Sequence, residues 1–338
     1  MNTQRLQELI DRFAGLHVLV IGDFLLDRVL QIDPALKERS EETGLAAHQV
    51  VDVLSRPGSA GAVTASLRAL GLHVAVIGPV GDDGEGYELR QGLRALDVDD
   101  GTLLTTPGRR TPARMQSVVM QEGAPHPLDR IDIHAHTPMS SHSEEALIAR
   151  LRALAPRARA VLVIDHAARP GYGAITERVR NALTSMVWQF PDTPFLASSR
   201  TQINQFERLT WKVSALEAAK AVWPDYDGTP DRDVAQKAGE ALRQQSGAPL
   251  FVTLGADGML VFDDDGTTHV PGVPVADSSE LPGAGDNAIA AIAASLCAGA
   301  SYTEAALVGN LAAAATIQQF GSRGMATPEH MLELWNAR

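Results

Sequence analysis

The chain has 338 residues, of which 45% are hydrophobic and 5% aromatic, and it carries a formal net charge of −12. That length suffices for one large α/β domain with an aliphatic core. An acidic surface repels phosphate backbones and anionic lipid, which excludes nucleic acid and membrane surfaces as expected partners and means that an anionic ligand needs a local cradle.

In chain order, the amphipathic segment 1–13 lacks the pattern of a signal peptide. Residues 16–21 (LHVLVI) form a nearly continuous aliphatic run, the mark of a strand buried on both faces, and end in Gly22-Asp23. Residues 60–70 read as a small-residue helix stopped by Gly71, 74–77 as a strand, 78–84 as a loop, and 87–96 as a helix. Further strands are predicted over 160–164, ending in Asp165, over 194–197, over 250–254, ending in Gly255, and over 259–262 after a Gly258 turn. Residues 223–233 are polar and turn-rich and read as a surface loop. Alanine-rich helices follow over 286–298 and 303–319. The apolar stretch that they form carries Gly299, Glu304 and Asn310, so no membrane span is expected. The single cysteine, Cys297, reads as a small core residue and fits a reducing cytoplasm.

Strand–helix alternation of this kind implies a parallel sheet with helices on both faces, whose ligands sit beyond the carboxyl ends of the strands. Two stretches, 28–56 and 102–136, break the alternation and carry short alternating segments such as 49–54 and 115–121, as a small β-sheet lid would. His126, His134, His136 and His142 fit no metal-ligand spacing and read as solvated loop residues.

The chemistry concentrates in 280–287 (ELPGAGDN), directly before a helix. Gly283 and Gly285 let the backbone turn tightly and approach a ligand. The helix start offers unpaired N–H groups and a positive dipole end to an anion. Asp286 there could take a proton from a hydroxyl, or could merely cap the helix; on these residues alone the two readings balance.

The segment resembles the D-x-x-G-A-G-D signature of the ribokinase-like (PfkB) carbohydrate kinases. The resemblance runs along nearly the whole chain, through 18–28 (VLVIGDFLLDR), 56–71 (RPGSAGAVTASLRALG), 76–84 (VIGPVGDDG), 250–259 (LFVTLGADGM) and 309–315 (GNLAAAA). Within the family it is closest to the kinase domain of the heptose-7-phosphate kinases, on Gly22-Asp23, Leu26-Asp27-Arg28, Arg56-Pro57-Gly58 and 111–132. It implies a Rossmann-like three-layer α/β sandwich with a mainly parallel central sheet. One kinase domain would span 1–338, with lid segments 28–56 and 102–136 inserted.

The implied activity is ATP-dependent phosphoryl transfer to a sugar or sugar-phosphate hydroxyl, in the cytoplasm, by a homodimer. Asp286 matches the catalytic base, and Gly283, Ala284 and Gly285 match the backbone anion hole. Asp23, Asp27, Gly58 and Ser59 fall on the sugar side; of the basic patch Arg109, Arg110 and Arg114, Arg114 suits a substrate phosphate better, and Arg109 and Arg110 read rather as solvated loop residues. Ser214, Thr253, Gly255, Gly258 and Asn310 fall on the nucleotide side, where Asp165 either helps with the phosphates or caps its strand. Glu217 matches the acidic residue that holds Mg²⁺ through water, and a monovalent cation is left open. Departures from the pattern are Ser59 for a glycine, Ala62 and Ser214 for asparagines, Ser198 and Glu280 for aspartates, and Pro282 before the anion hole. These favour the alternative, a catalytically weak or inactive kinase-like nucleotide- or sugar-binding protein.

Overall fold

The structure is a computed structural model that describes residues 1–121, 124–167, 169–275, 283–318 and 325–337. The first aliphatic run forms the strand His17–Gly22, which pairs in parallel with His73–Ile77 on one side and Ala160–Asp165 on the other. Both faces of this strand are covered. Val18 and Val20 join a core cluster with the helices Ala60–Ala69, Ala284–Cys297 and Tyr302–Gln318, whereas Leu19 and Ile21 join the opposite cluster with Ser141–Leu154 and Glu177–Gln189. Alternating side chains of one strand thus bind two helical layers to one sheet, which gives three layers.

From one edge the eight-stranded sheet runs Gly266–Val270, Met259–Asp263, Leu250–Thr253, Thr210–Ser214, Phe195–Ser199, Ala160–Asp165, His17–Gly22 and His73–Ile77. The strands from Leu250–Thr253 to His73–Ile77 are parallel, and the last two at the other edge are antiparallel. The parallel carboxyl ends therefore share one rim of the sheet. Among the described residues no helix is long and apolar enough to cross a membrane.

A separate four-stranded sheet has the order Ala46–Ser59, Phe24–Arg39, Ala113–Gln121 and Ala124–Ile133. Its first two strands are 16 and 14 residues long, far beyond the short segments that the pattern suggested, and they begin before residue 28 and end after residue 56. Their outer parts are exposed on both faces, so the polar–apolar alternation that marks a half-buried strand is missing there. His126 lies in a strand rather than a loop. The two sheets meet at Asp23. The chain leaves the main sheet there, with the Asp23 N–H still donating to Ile164 O at 2.9 Å, and enters the second sheet at Phe24.

Gly22 closes the first strand where its backbone lies against the Ile164 carbonyl, in the space that a Cβ would fill. Gly22→Ala is expected to separate these two strands at the rim and to cost about 1–3 kcal/mol. The check is a lowered urea midpoint with an unchanged m-value.

Candidate active site

At the rim, Gly283 adopts φ 103° and starts the helix Ala284–Cys297. This left-handed conformation favours glycine, which has no Cβ to clash. The Gly283 carbonyl accepts from the Asp286 N–H at 3.1 Å, the Asn287 N–H at 3.0 Å and the Asn287 side-chain amide at 3.1 Å. That fixes the turn. The N–H groups of Ala284 and Gly285 precede any intrahelical acceptor and are suited to an anion. Asp286 is the third helical residue, and no side chain caps this helix, so the carboxylate is not used as a cap. Loss of water raises its pKa from 3.8 to about 6; Lys212 and Arg200 pull it back, Asp27 adds to the rise and Arg114 opposes it.

Lys212 comes from the strand Thr210–Ser214 and is buried. Its Nζ lies 3.0 Å from where a Cβ on Gly285 would stand, so the ammonium sits directly against the glycine turn.

The lid sheet supplies the opposite wall. Its register sets Asp27 beside Arg114, and the guanidinium donates to both carboxylate oxygens of the buried Asp27, at 2.6 and 2.8 Å. Asp27 also presses on Gly58, where a Cβ would collide with its Oδ2. Asp27, Arg114 and Gly58 are therefore brought together, with Arg114 committed to the carboxylate. Asp23 is placed differently. Oδ2 accepts the His166 and Ala167 N–H groups at 2.9 and 2.8 Å, and Oδ1 accepts the Ala174 N–H at 2.7 Å. Its carboxylate organises the loop after Ala160–Asp165, and burial pushes its pKa up.

Ser59 has φ 55° and ψ −119°, a backbone region that suits glycine and stores strain of roughly 1–3 kcal/mol in other residues. Its Oγ lies 3.1 Å from His166 Nδ1. Burial first, and then Arg200, Lys212 and Arg114, lower the His166 pKa to about 3, so this imidazole is neutral near pH 7.

Farther along the rim, Ser214 and Glu217 form a capping box. Ser214 Oγ accepts the Glu217 N–H at 3.2 Å, and Glu217 Oε2 accepts the Ser214 N–H at 2.7 Å. Thr253 is the register partner of Ser214 on the next strand. Gly255 and Gly258 bracket the turn that follows, and Gly258 lies tight against the Val270 carbonyl. The Asn310 amide is engaged within the fold, donating to Val270 O at 3.1 Å and Pro271 O at 3.0 Å. Asp165 is buried and accepts from Ser199 Oγ at 2.8 Å; burial and the nearby Asp23 raise its pKa to about 7. Glu280 and Pro282 lie outside the described residues.

Sequence reasoning assigned no role to Lys212, Arg200 or His166. Lys212 had a signal: it is the single charge in a strand, TWKVS, that is otherwise buried up to its last residue. Arg109 is buried and donates to Tyr172 O at 2.7 Å, while Arg110 is exposed. Arg109, Arg114, Arg130, Arg169 and Arg200 line one cavity between lid and main sheet, a cationic pocket in an acidic protein.

Residues 133–329 match the family described as pfkB family carbohydrate kinase. The chain belongs to that family. It is 31% identical over 332 residues to the bifunctional protein HldE of Hyphomonas neptunium and 29% identical over 332 residues to that of Trichlorobacter lovleyi. These matches take in 96% and 95% of this chain but only 64% and 63% of those relatives' own lengths. Among solved structures, phosphofructokinase-2 from Escherichia coli in complex with potassium superposes with a TM-score of 0.75 at 17% identity, over 96% of this chain and 99% of that one. Arabidopsis thaliana ribokinase complexed with ribose and ATP gives 0.68 at 17%, over 95% and 98%. Both likenesses show the ribokinase-like α/β fold.

A base must be ionised to accept a proton. Were Asp286, its carboxyl raised to about 6, to serve as the base, kcat/KM for an accepted sugar would fall tenfold per pH unit below a midpoint near that value. A flat profile from pH 5 to 8 would contradict this assignment.

Proposed function

We propose that the chain transfers the terminal phosphoryl group of ATP to a hydroxyl of a sugar phosphate, of the heptose 7-phosphate kind. The observation that carries the reading is the half-buried Asp286 carboxyl beside the Gly283–Gly285 turn, facing Asp27 across the mouth of the lid. Asp27, held by Arg114 and close to Gly58, would orient sugar hydroxyls. Asp286 would take the proton of the attacking hydroxyl. The N–H groups of Ala284 and Gly285 would hold charge developing on the phosphoryl oxygens. The cationic pocket supports an acceptor that already bears a phosphate, since planar guanidinium groups match phosphate oxygens and the surrounding charge of −12 would otherwise repel it. Ser214, Thr253, Gly255 and Gly258 line the rim on the side assigned to the nucleotide.

Among the described residues no group of three or more His, Cys, Asp or Glu side chains forms a metal cage. Glu217 commits Oε2 to its helix cap and leaves its other oxygen for a metal-bound water. That donor set fits Mg²⁺, which keeps most of its waters and is held largely by nucleotide phosphates. Bound there, Mg²⁺ would neutralise phosphate charge. On the lid, Val51, Val53 and Ile131 are 51%, 52% and 62% exposed, which supports pairing of the lid with a second copy.

The test is ADP release over a panel of sugars and sugar phosphates, heptose 7-phosphates included. The expected outcome is turnover with a sugar phosphate and a loss of roughly a thousandfold in Asp286→Asn. Measurable ATP binding without turnover on any acceptor would favour a non-catalytic binding protein, as the departures at Ala62 and Ser214 do.

A further inference from the structure

Asp27 stands on a lid strand, so its place opposite Asp286 depends on how the lid is held to the main body. One helix, Gly84–Ala95, does much of that holding. It carries Glu85, Glu88 and Gly92 at spacings of three and four residues, hence on one face. Arg28, the residue after Asp27, donates from Nε to Glu88 Oε2 at 3.3 Å and from a terminal nitrogen to Glu88 Oε1. Its other terminal nitrogen lies 3.6 Å from Glu85 Oε1. Ser55, the register partner of Arg28 on the neighbouring lid strand, donates its hydroxyl to Glu88 Oε2 at 2.9 Å. Pro57 of that strand is buried, with its Cδ 2.8 Å from where a Cβ on Gly92 would stand. Asp83, which caps the helix through the Gly86 N–H at 2.9 Å, also accepts the Thr111 N–H at 2.9 Å, just before the strand that carries Arg114. Two lid strands and the root of a third are thus pinned to one helix. Successive side chains of a strand point to opposite faces, so Arg28 grips the helix while Asp27 faces the cleft. The Arg28 and Glu88 side chains are 17% and 40% exposed, and an ion pair of that kind adds little to global stability. What it does supply is a defined position, because a guanidinium shared between both oxygens of one carboxylate is fixed in direction as well as distance.

We propose that Glu88 is a positioning residue for the acceptor: by holding Arg28 and Ser55 it sets the lid strand where Asp27 can reach a sugar hydroxyl within range of Asp286. The inference rests on the sugar-kinase reading above. Glu88 lies on the helix side of the strand and acts through the backbone that joins Arg28 to Asp27. A small displacement of that backbone would carry the Asp27–Arg114 pair with it, since the two are locked together. The nucleotide side, on other strands of the main sheet, would stay in place.

The experiment compares the full chain with Glu88→Gln, Arg28→Met and the double variant. Asp97→Asn serves as control, because it breaks a similar ion pair, to Arg68, beyond the other end of the same helix. With an accepted sugar phosphate, KM for the sugar is expected to rise roughly tenfold in Glu88→Gln and in Arg28→Met, with KM for ATP and kcat little changed. The double variant should be no worse than either single one, since both remove one contact, and Asp97→Asn should match the wild type. Backbone hydrogen exchange gives a readout that needs no turnover: in Glu88→Gln it is expected to quicken over residues 25–30 and 113–116 at an unchanged urea midpoint. An unchanged KM for the sugar, or one raised no more than that for ATP, would overturn the proposal, and so would unaltered exchange in those strands. Faster lid exchange in a chain that turns over no sugar would uphold Glu88 as the holder of the lid strand and reject the kinase reading. Should Arg28→Met not fold, Arg28→Lys, which keeps the charge and loses the two-pronged contact, reads the same split between the two KM values.

Discussion

A carboxylate withdrawn from water holds its proton more tightly, and at Asp286 that withdrawal is opposed by three cations, Lys212, Arg200 and Arg114. The balance leaves the group basic enough to accept a proton from a hydroxyl and yet largely ionised near pH 7. Removing the cations would raise the carboxyl's pKa further, and opening the site to water would return it towards the ordinary carboxylate range. Each surrounding element serves this balance. The Thr210–Ser214 strand delivers the ammonium, the end of Phe195–Ser199 delivers Arg200, and the lid sheet brings Asp27 locked to Arg114.

The scaffold explains why these groups can be held so closely. Six parallel strands end on one rim, so residues far apart in sequence meet there without long connections. Asp23 stands where the first strand passes into the lid and anchors three backbone N–H groups of the 166–174 loop. It thereby ties the lid's root to the loop that carries His166. Ser59, in its glycine-like backbone conformation at the other lid root, hydrogen-bonds to that same histidine. Both lid roots thus converge on His166, Asp23 through its backbone N–H and Ser59 through its neutral imidazole, which adds no positive charge to a site already rich in it.

The main sheet was legible because strands buried on both faces have no choice but to be aliphatic; residues 16–21 and 160–164 show this plainly. The turn at Gly283 was legible because its left-handed backbone favours glycine. The lid was harder to see. Its long strands carry their outer halves in solvent, where no periodicity is imposed; of the two alternating fragments, 115–121 buries Val118 and Val119 whereas 49–54 exposes Val50, Val51 and Val53. Side-chain commitments were harder still. Nothing in the sequence says that Asn310 turns inward to two carbonyls or that Asp23 is consumed by backbone donors. The Ser214–Glu217 pair does have the S-x-x-E spacing of a capping box, so its structural half was readable beside its implied metal role. Lys212 stands out in the sequence as the single charge of its strand, and the neighbouring register shows that the strand is central.

The central claim is that one phosphoryl group is passed between the Gly283–Gly285 turn and the lid-held acceptor under the Asp286 carboxylate. Its most direct test is a crystal structure with ADP, a metal fluoride mimic of the phosphoryl group in flight, and a sugar phosphate. The account predicts the fluoride within hydrogen-bond distance of the Ala284 and Gly285 N–H groups, with an acceptor hydroxyl between the fluoride and Asp286. A mimic seated away from that turn, or a sugar whose nearest hydroxyl faces another base, would contradict it.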